Sequence, residues 1–217
     1  MIANLKKLSE LCKKAECHIS RVLIMNLFYR AKGLRGLFSA NKVKIKGLKN
    51  ISITNDGVLL LGLRNVNHIS NKTESFYNIR GKLLCEGTLS FGRGCRVDVN
   101  NGAVLMLSGG YIGPENDFIV YNGISIGKDC NISWGCQFLD DDFHHLNYIN
   151  KKNKDKIINI GDHVWIGCNV SILKGTNIAS GCVVAANSVV SGDFLESNCL
   201  IAGSPARVVK RNISWKL

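Results

Sequence analysis

The sequence predicts an all-β solenoid, a parallel β-helix, preceded by a helical segment and interrupted by one long extruded loop. The first observation is a six-residue period in which each repeat begins with an aliphatic residue: Ile160, Ile166, Ile172, Ile178, Val184 and Val190. The next residue is small in most of these repeats: Gly161, Gly167, Ala179 and Ala185. A short fixed period is the signature of a repeat architecture, and a period of six fits a β-helix rather than a helix bundle.

The second observation is the alternation of side chains within each repeat. Successive residues of a strand point to opposite faces, so the residue two before each aliphatic must also point inward. Those positions are apolar or small: Ile158, Val164, Val170, Thr176, Cys182 and Ser188. Each repeat therefore predicts one short strand and one turn, and three repeats make a triangular coil. The coils would stack about 4.8 Å apart through parallel strand pairing.

Composition agrees with this architecture. The 217 residues include 22 glycines and only two prolines, which suits a solenoid with many tight turns. Cys130, Cys136 and Cys182 fall on small inward positions and are predicted to fill the core. The nine cysteines include no CxxC pair, and the chain carries neither a cleavable signal sequence nor an apolar run of about 18 residues. We therefore expect a reducing cytoplasm as its compartment.

Residues 1–40 differ from the rest of the chain. Apolar residues recur there at three- and four-residue spacing, which predicts an amphipathic helix: Leu5, Leu8, Cys12, Ala15, Ile19 and Val22. The segment holds eight Lys or Arg against two Glu, half of the net charge of +12. Two interpretations remain open: a cap on the end of the solenoid, or contact with an anionic membrane surface. We expect a helical segment at 1–40, a β-helix domain at 41–206 and a tail at 207–217.

The repeat is weaker before residue 158. A six-residue frame runs through Phe91, Val97 and Ala103 and resumes at residue 126, whereas residues 108–123 are predicted to break it with a loop. Residues 138–157 are too charged for a coil and predict a long loop that carries three aspartates and the pair His144 and His145. A loop of this length, ejected from a regular solenoid, is usually functional.

Four features together resemble a known family: the hexapeptide repeats, the histidine-bearing loop, the segment IGDHVWIG and the segment AGSPARVVK. They are similar to those of the left-handed β-helix acyltransferases, and most of all to the sugar O-acetyltransferases of surface polysaccharides. The resemblance covers roughly residues 85–211. The left hand of the helix is implied by the resemblance alone, because parallel crossovers are otherwise right-handed in about 98% of cases.

The resemblance implies an acetyl-CoA-dependent transfer to a sugar hydroxyl of a surface glycan or of its lipid-linked precursor. Transfer would be direct, in a ternary complex, within a homotrimer whose active sites lie between subunits. The family's catalytic histidine matches His144 in Asp142-Phe143-His144, with His145 as the alternative. Histidine suits a general base because its ordinary pKa, about 6.5, lies near neutral pH. Either Asp142 or a backbone carbonyl would fix its tautomer.

The family's binding positions also have counterparts here. Trp165 matches the residue that lines the acceptor pocket, and Asp140 and His145 are the other expected acceptor contacts. Cys168 matches a position near the thioester, and Ala186 a small residue beside the pantetheine arm.

Basic residues would hold the phosphates of coenzyme A. Arg207 and Lys210 match basic positions in the family. Gly192 stands where many relatives have lysine, so we expect Lys174 or Arg211 to replace that contact.

Other functions remain open at this point. N-acetylation of an amino-sugar nucleotide occurs within the same fold family, and a solenoid can also bind without catalysis. The chain lacks the three spaced histidines of zinc carbonic anhydrases, so no metal is expected. Nucleic acid is not an expected partner because the lysines are not interleaved with aromatic residues. The acceptor, the length of the acyl group and any peripheral contact with the inner membrane surface are not fixed by the sequence.

Overall fold

The computed structural model describes residues 5–144 and 155–216, except 55, 65, 67 and 68, and also residue 149. The described chain begins with two helices, α1 (Leu5–Lys14) and α2 (Ile19–Ala31). Short strands follow almost without interruption, with one 3₁₀ turn at Leu48–Asn50. No helix in this part of the chain has the length and apolarity needed to cross a bilayer.

The strands form three sheets. The first sheet contains β1 (Leu37–Ser39), β4 (Val58–Leu61), β7 (Thr88–Phe91), β10 (Gly110–Ile112), β13 (Cys130–Ile132), β16 (Trp165–Ile166), β19 (Val183–Val184), β22 (Leu200–Gly203) and β23 (Ala206–Lys210). The second sheet contains β2 (Val43–Lys46), β5 (Ser75–Ile79), β8 (Arg96–Val99), β11 (Asp117–Val120), β14 (Gln137–Leu139), β17 (Ser171–Leu173) and β20 (Val189–Val190). The third sheet contains β3 (Ile51–Ile53), β6 (Lys82–Cys85), β9 (Val104–Leu107), β12 (Gly123–Ile126), β15 (Ile158–Ile160), β18 (Asn177–Ile178) and β21 (Asp193–Phe194).

The chain visits the three sheets in turn, and each strand pairs in parallel with the strand one coil later. The register keeps the six-residue frame, because Ile132, Ile166 and Val184 lie directly above one another. This is the triangular coil that the sequence predicts. Only β23 runs antiparallel among the described pairs, against β22.

The two inward positions of every repeat fill one continuous core. All twelve of these residues between Ile158 and Val190 are at most 4% exposed, so the predicted inward face is confirmed. Cys130, Cys136 and Cys182 are buried as expected. Lower in the rod the core is aromatic, and the rings of Phe118 and Phe138 stack 4.3 Å apart.

The predicted break at residues 108–123 is wrong. β10 and β11 continue the coil there, and β10 pairs with both β7 and β13. Gly110 has a φ of 123°, and a Cβ on it would lie 2.1 Å from the carbonyl oxygen of Cys130. The glycine therefore permits close stacking of two coils where the sequence suggested a loop.

The N-terminal segment is two helices, not the single helix predicted. They are separated at Glu16, whose φ of 48° lies in the left-handed region and ends the helical path. The apolar positions Leu8, Cys12 and Ala15 are nevertheless buried, in a cluster with Val58 and other residues of the first coils. The helical segment therefore covers the end of the rod, while the domain boundaries after residues 40 and 206 stay a prediction.

Polar contacts join this helical cap to the coils. On the inner side of α2, the Nδ2 of Asn26 donates to the carbonyl of Leu37 at 2.8 Å, and the hydroxyls of Tyr29 and Ser39 are 2.9 Å apart. The buried Arg93 donates from Nη2 to the carbonyl of Ala15 at 2.7 Å and from Nη1 to that of Asn71 at 3.0 Å. A buried guanidinium with carbonyl partners fixes the cap to the rod.

Candidate active site

The long loop leaves the rod at the second corner, where the second sheet gives way to the third, between β14 and β15. It begins after Leu139, slightly later than predicted, because Phe138 is fully buried in β14.

Asp140 anchors the start of the loop. Its side chain is buried, and its two carboxylate oxygens accept the backbone N–H groups of Tyr121 at 2.7 Å, Asn122 at 2.8 Å and Gly123 at 2.6 Å. A carboxylate with three backbone donors is turned into the fold and away from any ligand. The expectation that Asp140 contacts the acceptor is therefore wrong, and the residue instead binds the corner of the coil below.

An ion pair closes the neck of the loop. The Nζ of Lys156 lies 2.6 Å from the Oδ2 of Asp141, which also accepts from the Nδ2 of Asn122 at 3.1 Å. The other oxygen of Asp141 accepts the N–H of Phe143 at 2.8 Å. The hydrogen bond from Lys156, followed by those from Phe143 and Asn122, holds the pKa of Asp141 well below its usual range.

This ion pair predicts a pH-dependent contribution to stability. The pKa of Asp141 is depressed in the folded chain, so the contribution is fully present above the unfolded value of about 3.9 and is lost as pH falls through the lowered pKa of the folded chain. Lys156→Met is expected to lower the melting temperature near pH 7 and to lose part of that effect near pH 2, where the folded-state carboxylate begins to take up a proton. Lys128→Met removes an exposed lysine of the coil wall and serves as the charge-matched control. An equal deficit at both pH values for Lys156→Met would contradict the assignment.

The loop presents His144 in a defined tautomer. The Nδ1 of His144 is 3.1 Å from the backbone carbonyl oxygen of Asp142. A carbonyl only accepts, so Nδ1 carries the hydrogen and Nε2 keeps its lone pair. The carboxylate of Asp142 instead pairs with Lys174. Of the two alternatives for fixing the tautomer, the contact therefore comes from the carbonyl, and the side chain of Asp142 ties the loop to the next coil. His145 lies outside the described residues.

An aromatic contact supports the same part of the loop. The ring of Phe143, half exposed, meets the ring of Tyr121 edge-on with centroids 4.8 Å apart. Phe143 has a φ of 60° and turns the chain sharply just before His144.

The first corner, between the first and second sheets, carries the residues matched to coenzyme A. Cys168 and Ala186 each lie two residues beyond the register-matched pair Ile166 and Val184, so they stand one above the other. The N–H of Asn187 donates to the carbonyl of Cys168 at 2.9 Å, which joins these corners. Gly167 must be glycine there, since a Cβ would lie 2.6 Å from the backbone nitrogen of Ala186. Ala186 is exposed and has only a methyl side chain, so an extended pantetheine arm can pass close to the backbone.

Trp134 extends this column and was missed from the sequence. It lies two residues beyond Ile132, directly below Cys168 in register, and its carbonyl accepts the N–H of Asn169 at 3.0 Å. Its side chain is 40% exposed. Its offset within the repeat, equal to that of Cys168 one coil later, is the signal that could have placed it.

Trp165 lies on the outer face of the first sheet with 41% of its surface exposed. The C-terminal tail folds back onto this face, which no repeat in the sequence indicates. Trp215 stacks on His163 with ring centroids 4.1 Å apart, and its Nε1 donates to the carbonyl of His163 at 3.0 Å. Its ring is 6.1 Å from that of Trp165, so the two indoles form adjoining apolar walls.

The basic residues matched to the phosphates of coenzyme A lie at different places on the rod. Arg207 and Lys210 are both exposed on β23. Arg207 pairs with Ala202 near the first corner, whereas Lys210 pairs with Leu200 at the other end of the strand. Lys174 is engaged with Asp142 at the second corner, and Arg211 pairs with Glu196 at 2.9 Å. Lys174 lies two residues beyond Ile172, which pairs with Val190, so it stands one coil below Gly192. Replacement of the missing phosphate contact by Lys174 or Arg211 stays a prediction.

The structure does not bring all of these residues together within one chain. His144 is held at the second corner through Asp142 and Lys174, whereas Cys168 and Ala186 lie at the first corner. One strand of the second sheet separates the corners, about 10 Å for three residues at the usual rise. The candidate base and the candidate coenzyme column of a single subunit therefore lie on opposite edges of one face.

A groove of about 320 Å³ lies on the outer face of the second sheet below β14. Phe76 forms part of its floor, and Arg96 and Asp117 at its wall are joined in an ion pair. Asp98 is likewise paired with Arg80 at 2.9 Å. These charged groups are already paired with one another. The groove therefore offers a ligand apolar contacts but few polar groups that would orient it.

Comparison with known proteins assigns the fold to a family. A family model described as bacterial transferase hexapeptide (six repeats) matches residues 158–192. An uncharacterized 24.8 kDa protein in the cps region of Klebsiella pneumoniae is 47% identical over 216 residues, covering 100% of this chain and 97% of that protein. The putative lipopolysaccharide biosynthesis O-acetyl transferase WbbJ of Escherichia coli K12 is 32% identical over 146 residues, covering 58% of this chain and 73% of WbbJ.

A solved structure agrees. The crystal structure of the polySia-specific acetyltransferase NeuO superposes with a TM-score of 0.52 and 25% identity, covering 84% of this chain and 79% of NeuO. The chain belongs to the hexapeptide-repeat acyltransferases, and its rod is the left-handed parallel β-helix of that family. It is an acyltransferase.

Proposed function

We propose that the protein is an acetyl-CoA-dependent O-acetyltransferase that acts on a sugar hydroxyl of a surface glycan or of its lipid-linked precursor. The observation that carries the proposal is His144, exposed on an anchored loop with its Nδ1 hydrogen-bonded to the carbonyl of Asp142. The names of WbbJ and NeuO, which refer to lipopolysaccharide and polysialic acid, support a saccharide acceptor.

The proposed reaction is a direct transfer. Nε2 of His144 takes the proton of the acceptor hydroxyl while the oxygen attacks the acetyl carbon, and the C–S bond of the thioester then breaks to release coenzyme A. The protonated imidazole returns its proton to the leaving thiolate. The N–H donors of Trp165 and Gly167 already bond to the carbonyls of Cys182 and Val184. In the turn after Trp165, the candidate donor to the oxyanion is therefore the backbone N–H of Cys168.

The coenzyme would lie along the first corner. Its pantetheine arm would pass Ala186 and bring the thioester beside Cys168, with the phosphates near Arg207 and Lys210. Trp134, about 4.8 Å below Cys168 at the spacing of the coils, and the walls formed by Trp165 and Trp215 would then face the acceptor. A flat indole suits the apolar face of a sugar ring.

The separation of the two corners supports a homotrimer with shared sites. A closed ring of subunits repeats one heterologous contact, so the second corner of one subunit can face the first corner of its neighbour. His144 of one subunit would then serve the coenzyme held by the next. We expect the enzyme in the cytoplasm, where acetyl-CoA is the donor and its cysteines remain thiols.

Mass spectrometry of acceptors tests this function. The protein is incubated with acetyl-CoA and one acceptor at a time. The acceptors are polysialic acid and de-O-acetylated lipopolysaccharide. The proposal predicts the gain of acetyl groups that mild base removes, since esters are base-labile and amides are not. Base-stable acetylation would indicate N-acetyl transfer. If the acceptor gains an acyl group only when longer acyl-CoA donors are supplied, the donor is not acetyl-CoA. Binding of these glycans without any acyl transfer would contradict a hydroxyl of these saccharides as the acceptor.

A further inference from the structure

One face of the helical cap is left uncovered by the rest of the described chain. On α2, Ile24 is 65% exposed, Leu27 63% and Phe28 46%. These residues are spaced by three and four, so they share one side of the helix. The opposite side, with Val22, Asn26 and Tyr29, is buried against the first coil. Three large apolar side chains in a row on a cap need a partner more than isolated surface residues do.

This surface differs from the one that the sequence suggested for membrane contact. The amphipathic stripe of α1, with Leu8 and Cys12, is buried on the rod and is unavailable to lipid. The face of α2 does not stand out by periodicity, because this helix is apolar on both sides. Only its packing on β1 shows which side remains open.

The charge around this face favours an anionic partner. Residues 5–35 carry eight basic side chains, Lys6, Lys7, Lys13, Lys14, Arg21, Arg30, Lys32 and Arg35, against Glu10 and Glu16. Arg21 and Arg30 are exposed and lie three residues from Ile24 and Leu27, at the edges of the apolar row. Glu16 is already bonded to Asn71, at the junction between the cap and the rod.

The same charge argues against a second copy of the chain as the occupant. Two symmetry-related caps would bring two clusters of positive charge together, and like charges at close range repel. Lipid phosphates instead neutralise these cations while the acyl region accepts the apolar side chains.

We propose that α2 docks the protein on an anionic lipid surface, with Ile24, Leu27 and Phe28 entering the interface and the surrounding Lys and Arg contacting headgroup phosphates. The attachment is peripheral and lies on one face of a surface helix. It does not depend on the proposed reaction, and it would concentrate the enzyme near an acceptor carried by lipid. The catalytic loop leaves the fifth coil, about 19 Å above the first at the spacing of neighbouring strands.

Vesicle sedimentation tests the proposal with the full-length chain. Vesicles of phosphatidylcholine mixed with phosphatidylglycerol are compared with vesicles of phosphatidylcholine alone. We expect binding to the mixed vesicles that weakens as salt is raised, because salt screens the cations. The double variant Ile24→Ser/Leu27→Ser is expected to reduce binding roughly tenfold or more through loss of inserted apolar area.

A matched control removes exposed apolar side chains elsewhere. Leu195→Ser/Val209→Ser changes residues that are 76% and 52% exposed on the rod, and it is expected to leave vesicle binding unchanged. Circular dichroism melting checks that both variants fold. The proposal is overturned if the wild type does not sediment with mixed vesicles. It is also overturned if both double variants bind the mixed vesicles as tightly as the wild type. It is likewise overturned if Ile24→Ser/Leu27→Ser instead dissociates the oligomer in size-exclusion chromatography with lipid binding intact.

Discussion

His144→Ala is expected to lower kcat by about 10²–10⁴-fold while the affinity for acetyl-CoA stays near the wild-type value. The imidazole is the proposed base, and a positioned base contributes a factor of this size. The hydrogen bond between Nδ1 of His144 and the carbonyl of Asp142 orients the imidazole ring and plays no part in binding the coenzyme. Steady-state rates with the acceptor found by mass spectrometry, together with calorimetric titration of coenzyme A, separate the two effects.

Substitutions of two other histidines serve as controls for this prediction. His18→Ala removes an exposed histidine of the cap and is expected to leave the rate unchanged. His145→Ala discriminates between the neighbouring histidines: a large loss confined to this variant would move the base one residue along. Wild-type turnover in His144→Ala would remove the catalytic assignment.

Asp140→Ala is expected to destabilise the chain by about 3 kcal/mol or more. The substitution leaves the N–H groups of Tyr121, Asn122 and Gly123 without their acceptor in a buried site, and each such loss costs about 1–3 kcal/mol. For a chain of this size the melting temperature should fall by roughly 6–12 °C. The rate should fall as well, because Asp140 begins the loop that carries His144.

Asp193→Ala is the matched control for this variant. Asp193 also accepts a hydrogen bond, at 2.7 Å from Asn177, but it is exposed on the coil wall, so little change in the melting temperature is expected. If Asp140→Ala melted like the wild type and lost only activity, Asp140 would act in the site and not in the fold.

The rod could be predicted from the sequence because its inward positions recur locally. Six residues suffice to define a strand and a turn, and burial of Ile166 or Val184 follows from the same frame. The role of Gly110 could not be predicted, because a glycine that permits close coil stacking and a glycine in a loop look alike in sequence. The division of the cap into two helices depends on Glu16 and on the coils beneath, which local periodicity does not report.

The candidate site was only partly predictable. The resemblance to the family matched Trp165, Cys168 and Ala186 to binding positions, and the interruption of the repeat marked the loop of His144. The partners of Asp140 and Lys174 could not be predicted from local patterns, because they lie 17 or more residues away in sequence. The stacking of Trp215 on His163 joins residues 52 apart, outside any repeat.

The central claim is that the base of one subunit acts on the coenzyme held by its neighbour, and mixed trimers test it most directly. Ala186→Trp blocks the proposed coenzyme column and His144→Ala removes the base, so each variant alone should be inactive. When the two variants carry different tags and are co-expressed, they form mixed trimers. In each mixed trimer, one of the three subunit contacts brings an intact base next to an intact coenzyme column. The account predicts recovery of roughly a quarter of wild-type activity. Activity no higher than that of either variant alone, in rings shown to be mixed, would contradict it.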